Sequence, residues 1–302
     1  MKLAVLDGIS FKTHRCLRVV LLMSLVLPGA CSLFQEREEE KEDGTWSVFA
    51  LEYGNSVKFR HSVLIRGASK DERVPLSWWA WLIQPSSGDG RRILVDTGFD
   101  DEKLARQWRF KRHVPVPRLL RDLHIEPSSI TDVVVTHSHW DHMGNVSPYK
   151  NARIWIQKEE FDWAVKKVSD EKPVNQGVRL KDVDVLKKAR DENRLSLVAG
   201  TKEIAPGIIV HPGGKHTPFI QWVEVQSGGR SGTIVLATDI AYLYENIDKV
   251  VSSGSTLDPR KDVAEIKKMI NKATRKELVI PGHDPEVARR FKSVGKHIYR
   301  IR

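Results

Sequence analysis

The sequence is poor in cysteine, and that absence narrows its chemistry first. Only Cys16 and Cys31 occur in 302 residues. From residue 32 onward no thiol is available for a disulfide or a thiolate metal site, so any metal held there needs nitrogen and oxygen ligands. Long apolar runs are scarce too: Val19 to Leu27 falls short of the roughly 20 residues a spanning helix requires. The formal net charge is +10, yet no block interleaves basic residues with aromatics as a nucleic-acid groove does. The charge therefore reads as a solvated basic surface, with no nucleic acid expected as a partner. No close internal repeat is visible. With 40% hydrophobic and 29% charged residues, what remains is an ordinary globular balance for one folded domain.

The first residues differ in kind. Lys2, Lys12, Arg15 and Arg18 precede the apolar run, and Pro28-Gly29-Ala30-Cys31 follows it, the layout of an export signal. Small residues directly before a cysteine resemble a bacterial lipoprotein cleavage site, although Pro28 stands where such sites usually carry Leu. The expectation is a signal over 1–30 and lipidation at Cys31, which would place the protein in the bacterial cell envelope on an N-terminal lipid anchor. Removing four basic residues and Asp7 leaves a net charge of +7. Residues 31–44 are charged and lack apolar periodicity, as a solvated tether does, so the folded domain is expected over 45–302.

Within that domain, short apolar runs predict strands at Ser47–Leu51, Trp79–Gln84 and Arg92–Asp96, the last two joined through the turn Ser86–Gly90. A helical stretch is expected around Asp101–Leu123. Strands follow at Asp132–Thr136 and Ala152–Gln157, then a helix at Lys158–Val168. The polar stretch Ser169–Arg194 has little strand character and can cap a site as a lid. The second half offers strands near Leu195–Val198, Ile208–His211, Ile220–Gln226 and Thr233–Thr238, a helix at Val263–Ala273 and a strand at Glu277–Ile280. Strands first and helices after, twice over, argue for two β-sheets packed together with helices outside. Trp78, Trp79 and Trp81 share one early strand, with Trp79 expected to face away from the others.

The strongest local signal is Thr136-His137-Ser138-His139-Trp140-Asp141-His142, directly after a buried strand. Imidazoles at 137 and 139 can converge on one point while Asp141 and His142 project towards a second. Neutral imidazole and carboxylate suit zinc and its neighbours. Three further candidates sit at strand ends: His216 after Pro212-Gly213-Gly214-Lys215, Asp239 after Ile234–Thr238, and His283 after Val279-Ile280-Pro281-Gly282. His61, His113, His124, His211 and His297 lie outside any cluster and need no such role.

In this order the motifs resemble the metallo-β-lactamase superfamily over residues about 45–290, with Asp96-Thr97-Gly98 matching its Asp-Thr-Gly element behind the ligands. The resemblance implies an α+β, αββα four-layer sandwich of two mixed sheets. It also implies two divalent metal ions, zinc first, with manganese, iron and cobalt compatible. His137, His139 and His216 would hold one metal, Asp141, His142 and His283 the other, with Asp239 bridging both. The implied reaction is hydrolysis by hydroxide generated at the paired metals, with Asp141 orienting it or returning a proton to the leaving group.

Within the superfamily the block Ala237–Asn246 resembles the N-acyl homoserine lactonases. Tyr242 stands three residues beyond Asp239, where those enzymes carry a Tyr whose hydroxyl can hydrogen-bond the lactone carbonyl; the alternative is a surface or packing aromatic. The chain departs from that group after His216-Thr217-Pro218, where Phe219-Ile220-Gln221 replaces the usual Gly, and Lys215 precedes the histidine. Trp140 either lines an acyl pocket or packs on the sheet. The expected function is opening of a lactone ring. Other ester, β-lactam or thioester hydrolysis, and a tethered binding module with an idle centre, remain open, as does an oligomer. The β-lactamases lack a carboxylate at the Asp239 position, and the glutathione thioesters of the glyoxalase II type are mainly cytosolic.

Overall fold

In β2 (Arg73–Pro85) every residue from Leu76 to Ile83 is buried, and a strand buried on both faces needs a covering layer on each side. The computed structural model supplies both. It describes residues 46–87, 90–169, 177–229 and 232–302, and for residues 57 and 58 the backbone alone. The expected export signal, Cys31 and the tether lie outside the described residues, as do residues 88–89 of the expected turn and 170–176 of the expected lid.

The larger sheet runs β13 (Lys292–Gly295), β14 (Ile298–Arg300), β1 (Trp46–Arg60), β2, β3 (Ile93–Val95), β5 (Asp132–Val134), β6 (Arg153–Gln157) and β7 (Leu195–Val198), with β4 (Phe110–His113) also on β1. Its first strands, β1 to β3, form an antiparallel meander, whereas β3, β5, β6 and β7 are mutually parallel. The smaller sheet is β12 (Val279–Pro281), β11 (Gly232–Thr238), β10 (Gln221–Gly228), β9 (Ile208–Pro212) and β8 (Lys202–Ala205), parallel only between β11 and β12.

Trp79, Trp81 and Ile83 enter one core cluster with Val48, Ala50 and Val95 of the larger sheet and Val210, Val225 and Leu236 of the smaller. Ile247 of α7 (Tyr244–Lys249) and Ile266 and Met269 of α8 (Pro259–Lys272) extend it. Trp78, Ala80 and Leu82 point the other way, against Leu119 and Leu120 of α3 (Val116–Asp122), Phe161 and Ala164 of α5 (Lys158–Ser169) and Val183 and Leu186 of α6 (Leu180–Asp191). The result is the α+β sandwich, helices outside two mixed sheets. Trp78, not Trp79, is the tryptophan that turns away, because side chains alternate along a strand and 79 and 81 share a face.

The stretch expected as one helix, Asp101–Leu123, is two. α2 (Glu102–Gln107) stops before β4, which pairs with Gly54–Ser56, and α3 restarts with Pro117 in its first turn; Pro115 and Pro117 cannot continue a helix. The polar stretch after Ser169 includes the regular helix α6. Lys276–Leu278 is a 3-10 turn, so the expected strand at Glu277–Ile280 pairs only from Val279. The remaining short helices are α1 (His61–Leu64), α4 (Trp140–Met143) and α9 (Glu286–Arg290). No described helix is long and apolar enough to cross a membrane.

Candidate metal centre

Parallel strands open their carboxyl ends at one edge, where ligands gather. β5 leads into the His137–His142 loop and the single turn α4; β9 into the Gly213–His216 turn; β11 into Asp239; β12 into His283. Two glycines make the convergence possible. Gly214 has φ +74°, and a Cβ there would meet Ile240 Cγ1 at 2.7 Å; a Cβ on Gly282 would meet the carbonyl oxygen of Thr238 at 2.6 Å. The second approach seats His283 beside Asp239. Thr238, just before Asp239, holds φ +50°, and Asp96 φ +61°, backbone strain of the kind that collects at functional sites.

All seven candidate ligands come together, in two groups. His137, His139 and His216 form one; Asp141, His142, Asp239 and His283 form the other, and within each the ligating atoms lie within 4.8 Å of one another. His139 Nδ1 sits 3.0 Å from His137 Nε2 and 2.9 Å from His216 Nε2. Asp239 touches both groups: Oδ2 lies 3.3 Å from His216 Nε2 and 3.9 Å from His137 Nε2, and Oδ1 lies 3.0 Å from His283 Nε2 and 3.3 Å from His142 Nε2.

His139 Nδ1 carries one proton or one lone pair and cannot satisfy two imidazole nitrogens at about 3 Å by hydrogen bonding, whereas tetrahedral ligands at about 2.0–2.1 Å from a zinc ion sit about 3.3 Å apart. His142 Nε2 and Asp239 Oδ1 are buried and make no hydrogen bond, although buried polar atoms almost always do. The two groups differ in charge: two imidazoles of the first are held neutral, while the carboxylates of the second draw positive charge towards them. Burial, reinforced by His142 and His139, holds His137 well below the usual imidazole range. Burial takes His216 down to about 3 against the pull of Asp239. Burial disfavours charge on His142 as well, yet Asp239, Asp141 and Asp96 raise it well above the usual value. Burial works against the Asp239 carboxylate, but His283, His142 and His216 pull it well below its ordinary value. The seven residues fit a pair of divalent cations.

Asp96 stands behind both groups. Its Oδ2 accepts from His142 Nδ1 at 2.7 Å and from Thr136 Oγ1 at 2.8 Å, and Thr136 Oγ1 lies 3.1 Å from His137 Nδ1. His283 Nδ1 lies 3.1 Å from the Ser77 carbonyl, which leaves Nε2 for the centre, and Ser77 Oγ donates to the buried Glu52. The Tyr53 hydroxyl donates to the Asp141 carbonyl at 2.7 Å. Sequence reasoning gave Thr136 no role of its own and missed Ser77, Tyr53 and Glu52, whose partners are up to 206 residues away. The unassigned histidines lie elsewhere. His61 is held between Glu72 and Glu245, His113 stacks on Phe99, His211 pairs with Glu224, and His297 sits beside Glu52.

The centre floors a pocket of about 880 Å³, whose apolar wall includes Phe59, Leu76, Trp78, Trp108, Trp140 and Trp163. Trp140 both lines this pocket and packs, with Trp78, Phe99 and Trp108 against it. Tyr242 lies among the ligands, its hydroxyl 3.2 Å from His216 Nδ1 and its ring stacked on His283. Phe219, which replaces the expected glycine, is exposed and does not line this pocket, with Lys215 Nζ 5.0 Å from its ring centre.

Comparison with known proteins agrees with this geometry. An N-acyl homoserine lactonase of Bacillus sp is 25% identical over 254 residues, covering 79% of this chain and 93% of its own. The N-acyl homoserine lactonase AiiB of Rhizobium rhizogenes is 25% identical over 231 residues, covering 70% and 80%. Among solved structures, a quorum-quenching N-acyl homoserine lactone lactonase superposes with TM-score 0.64 at 20% identity over 82% of this chain and 96% of that one. AidC, a dizinc quorum-quenching lactonase with bound product, gives 0.61 at 17% over 80% and 88%. Residues 74–283 match the Metallo-beta-lactamase superfamily, and with the sandwich and the ligand groups in place the chain belongs to that superfamily.

Proposed function

We propose that this metal-dependent hydrolase opens the ring of N-acyl homoserine lactones, with His137, His139 and His216 holding one divalent metal, Asp141, His142 and His283 the other, and Asp239 touching both. The observation that carries the reading is Tyr242, whose hydroxyl lies beside the ligand groups on the floor of an apolar pocket. Two divalent cations in such a centre supply Lewis-acid polarisation of a carbonyl and an activated water near neutral pH.

The protein's own groups do the rest. With His216 Nε2 turned to the ligand group, Nδ1 keeps the ring proton and donates to Tyr242 Oη, which frees the phenol hydrogen for the lactone carbonyl oxygen. Burial and the charge on Asp239 raise the phenol well above its usual range, so it stays a donor. Asp141 lines the pocket; burial opposes its ionisation, but His142 holds its carboxyl below the usual value. As water adds to the carbonyl carbon and the ring C–O bond breaks, Asp141 takes the released proton and passes it to the departing ring oxygen, giving the N-acyl homoserine. The tryptophan and leucine wall takes the acyl chain, where each buried methylene contributes about 0.8 kcal/mol.

The similarity to two lactonases over most of both chains supports the substrate class. Export with lipidation at Cys31 is proposed from the sequence alone; it would set the pocket where diffusible acyl lactones pass, and labelling with a radioactive fatty acid in a Cys31→Ser pair tests it. The substrate reading is tested by kcat/KM for lactones of increasing acyl length beside a β-lactam and a thioester. Lactone turnover is expected to rise with chain length and to exceed the other two. Tyr242→Phe should lower kcat by roughly 10–100-fold, a hydrogen bond of about 1.5–3 kcal/mol, with metal content unchanged. Equal turnover of all three classes, or none of any lactone, contradicts it.

A further inference from the structure

Glu160 is the third residue of α5, and its side chain is fully buried. It makes four hydrogen bonds. Oε1 accepts from the N–H of Ser138 at 2.9 Å and from Ser138 Oγ at 2.6 Å; Oε2 accepts from Thr217 Oγ1 at 2.9 Å and from the N–H of Phe219 at 3.2 Å. Ser138 stands between His137 and His139, and Thr217 directly follows His216. One carboxylate thus grips both loops that carry the three-imidazole group.

Those loops come from different sheets, the first after β5 and the second after β9. A backbone bond from Gln221 to Thr136 links their bases, and Glu160 links them beside the ligands themselves. The chemistry of the grip is specific. An ionised carboxylate only accepts, and two of its four partners are backbone N–H groups that only donate. An amide of the same shape presents N–H to one of those donors. Burial raises the Glu160 carboxyl, while the donors from Ser138, Thr217 and Phe219 favour its ionised form.

We propose that Glu160 is a positioning residue, clamping the His137–His139 loop to the His216 turn and so setting the metal affinity of the three-imidazole group. The group of Asp141, His142 and His283, whose side chains make none of its four hydrogen bonds, keeps its affinity. This rests on the two-metal reading above.

The test is a chelator-competition titration of the full chain loaded with zinc or cobalt, with metal content measured alongside, in wild type, Glu160→Gln and Thr217→Val. One of the two metal equivalents should bind about 10–100-fold more weakly in Glu160→Gln, the range for losing a group that orients ligands. The cobalt spectrum should lose the contribution of that equivalent alone. Thr217→Val removes one of the four bonds, keeps the carboxylate, and should weaken the same equivalent by less. A merely structural role would lower the melting temperature of the metal-free chain and leave the ratio of the two affinities at the wild-type value. That outcome, in Glu160→Gln or in Thr217→Val should the former not fold, overturns the proposal. A wild-type chain that takes up fewer than two metals overturns the two-metal reading and this proposal together, whereas two metals with an unchanged ratio overturn this proposal alone.

Discussion

The two ligand groups share Asp239 and little else. The three-imidazole group contains no acid of its own; burial keeps His137 and His216 neutral, so their lone pairs are ready for a cation without a proton to displace. The other group has Asp141 and Asp239 within 3.3 Å of His142 Nε2 and Asp96 on its far nitrogen, and these carboxylates draw a proton onto His142. One half is prearranged by geometry and neutrality, the other by charge. Groups buried this deeply gain little from solvent, so their order depends on the partners behind them. Behind the acidic half stand Asp96 and the Ser77 carbonyl; behind the imidazole half stand Thr136 and Glu160.

The most severe way to break the comparison is to remove what the halves share. Asp239→Asn uncovers four imidazole contacts at once. Taking one partner from a buried charge cluster costs about 3–5 kcal/mol, so hydrolysis should fall by roughly 10²–10⁴-fold and both metals should be held less tightly, read by turnover and metal analysis. Asp96→Asn comes next. Because Asp96 reaches His142 directly and His137 through Thr136, both affinities should drop by about 10–100-fold, in contrast to the one-sided effect expected at Glu160. A one-sided loss in Asp96→Asn would show that the Thr136 link carries nothing.

The smallest effect concerns an imidazole between carboxylates outside the centre. His61 lies 2.9 Å from Glu72 and 2.7 Å from Glu245, itself paired with Lys249. Burial lowers its affinity for a proton, but the two carboxylates outweigh this and raise it above the usual value. The fold therefore favours the protonated ring. Its contribution is complete below the unfolded value of about 6.5 and fades as pH rises through the higher folded one. The melting-temperature gap between wild type and His61→Gln should thus be widest at acid pH and shrink towards alkaline pH, with metal content unchanged throughout.

The centre was more legible in the sequence than the frame around it. His137, His139, Asp141 and His142 share one loop, and His216, Asp239 and His283 each close an apolar strand, so local spacing announces them. Glu160 sits in Lys158-Glu159-Glu160 at a helix start, where acids are favoured by the helix dipole alone, and nothing local separates it from the exposed Glu159. β4 was hidden because Phe110–His113 is half-exposed and becomes a strand only by pairing with Gly54–Ser56. β8, β13 and β14 are three or four residues long and partly exposed, too short for an alternating pattern to register. What local chemistry encodes was readable; what distant pairing creates was not.

The most direct test of the account is to strip the full chain of metal and titrate it with zinc while following both bound metal and hydrolysis of a long-chain N-acyl homoserine lactone. The account predicts no turnover in the stripped protein, uptake of two equivalents, and turnover that appears as they bind. Uptake of a single equivalent, or lactone hydrolysis that persists without metal, would contradict it.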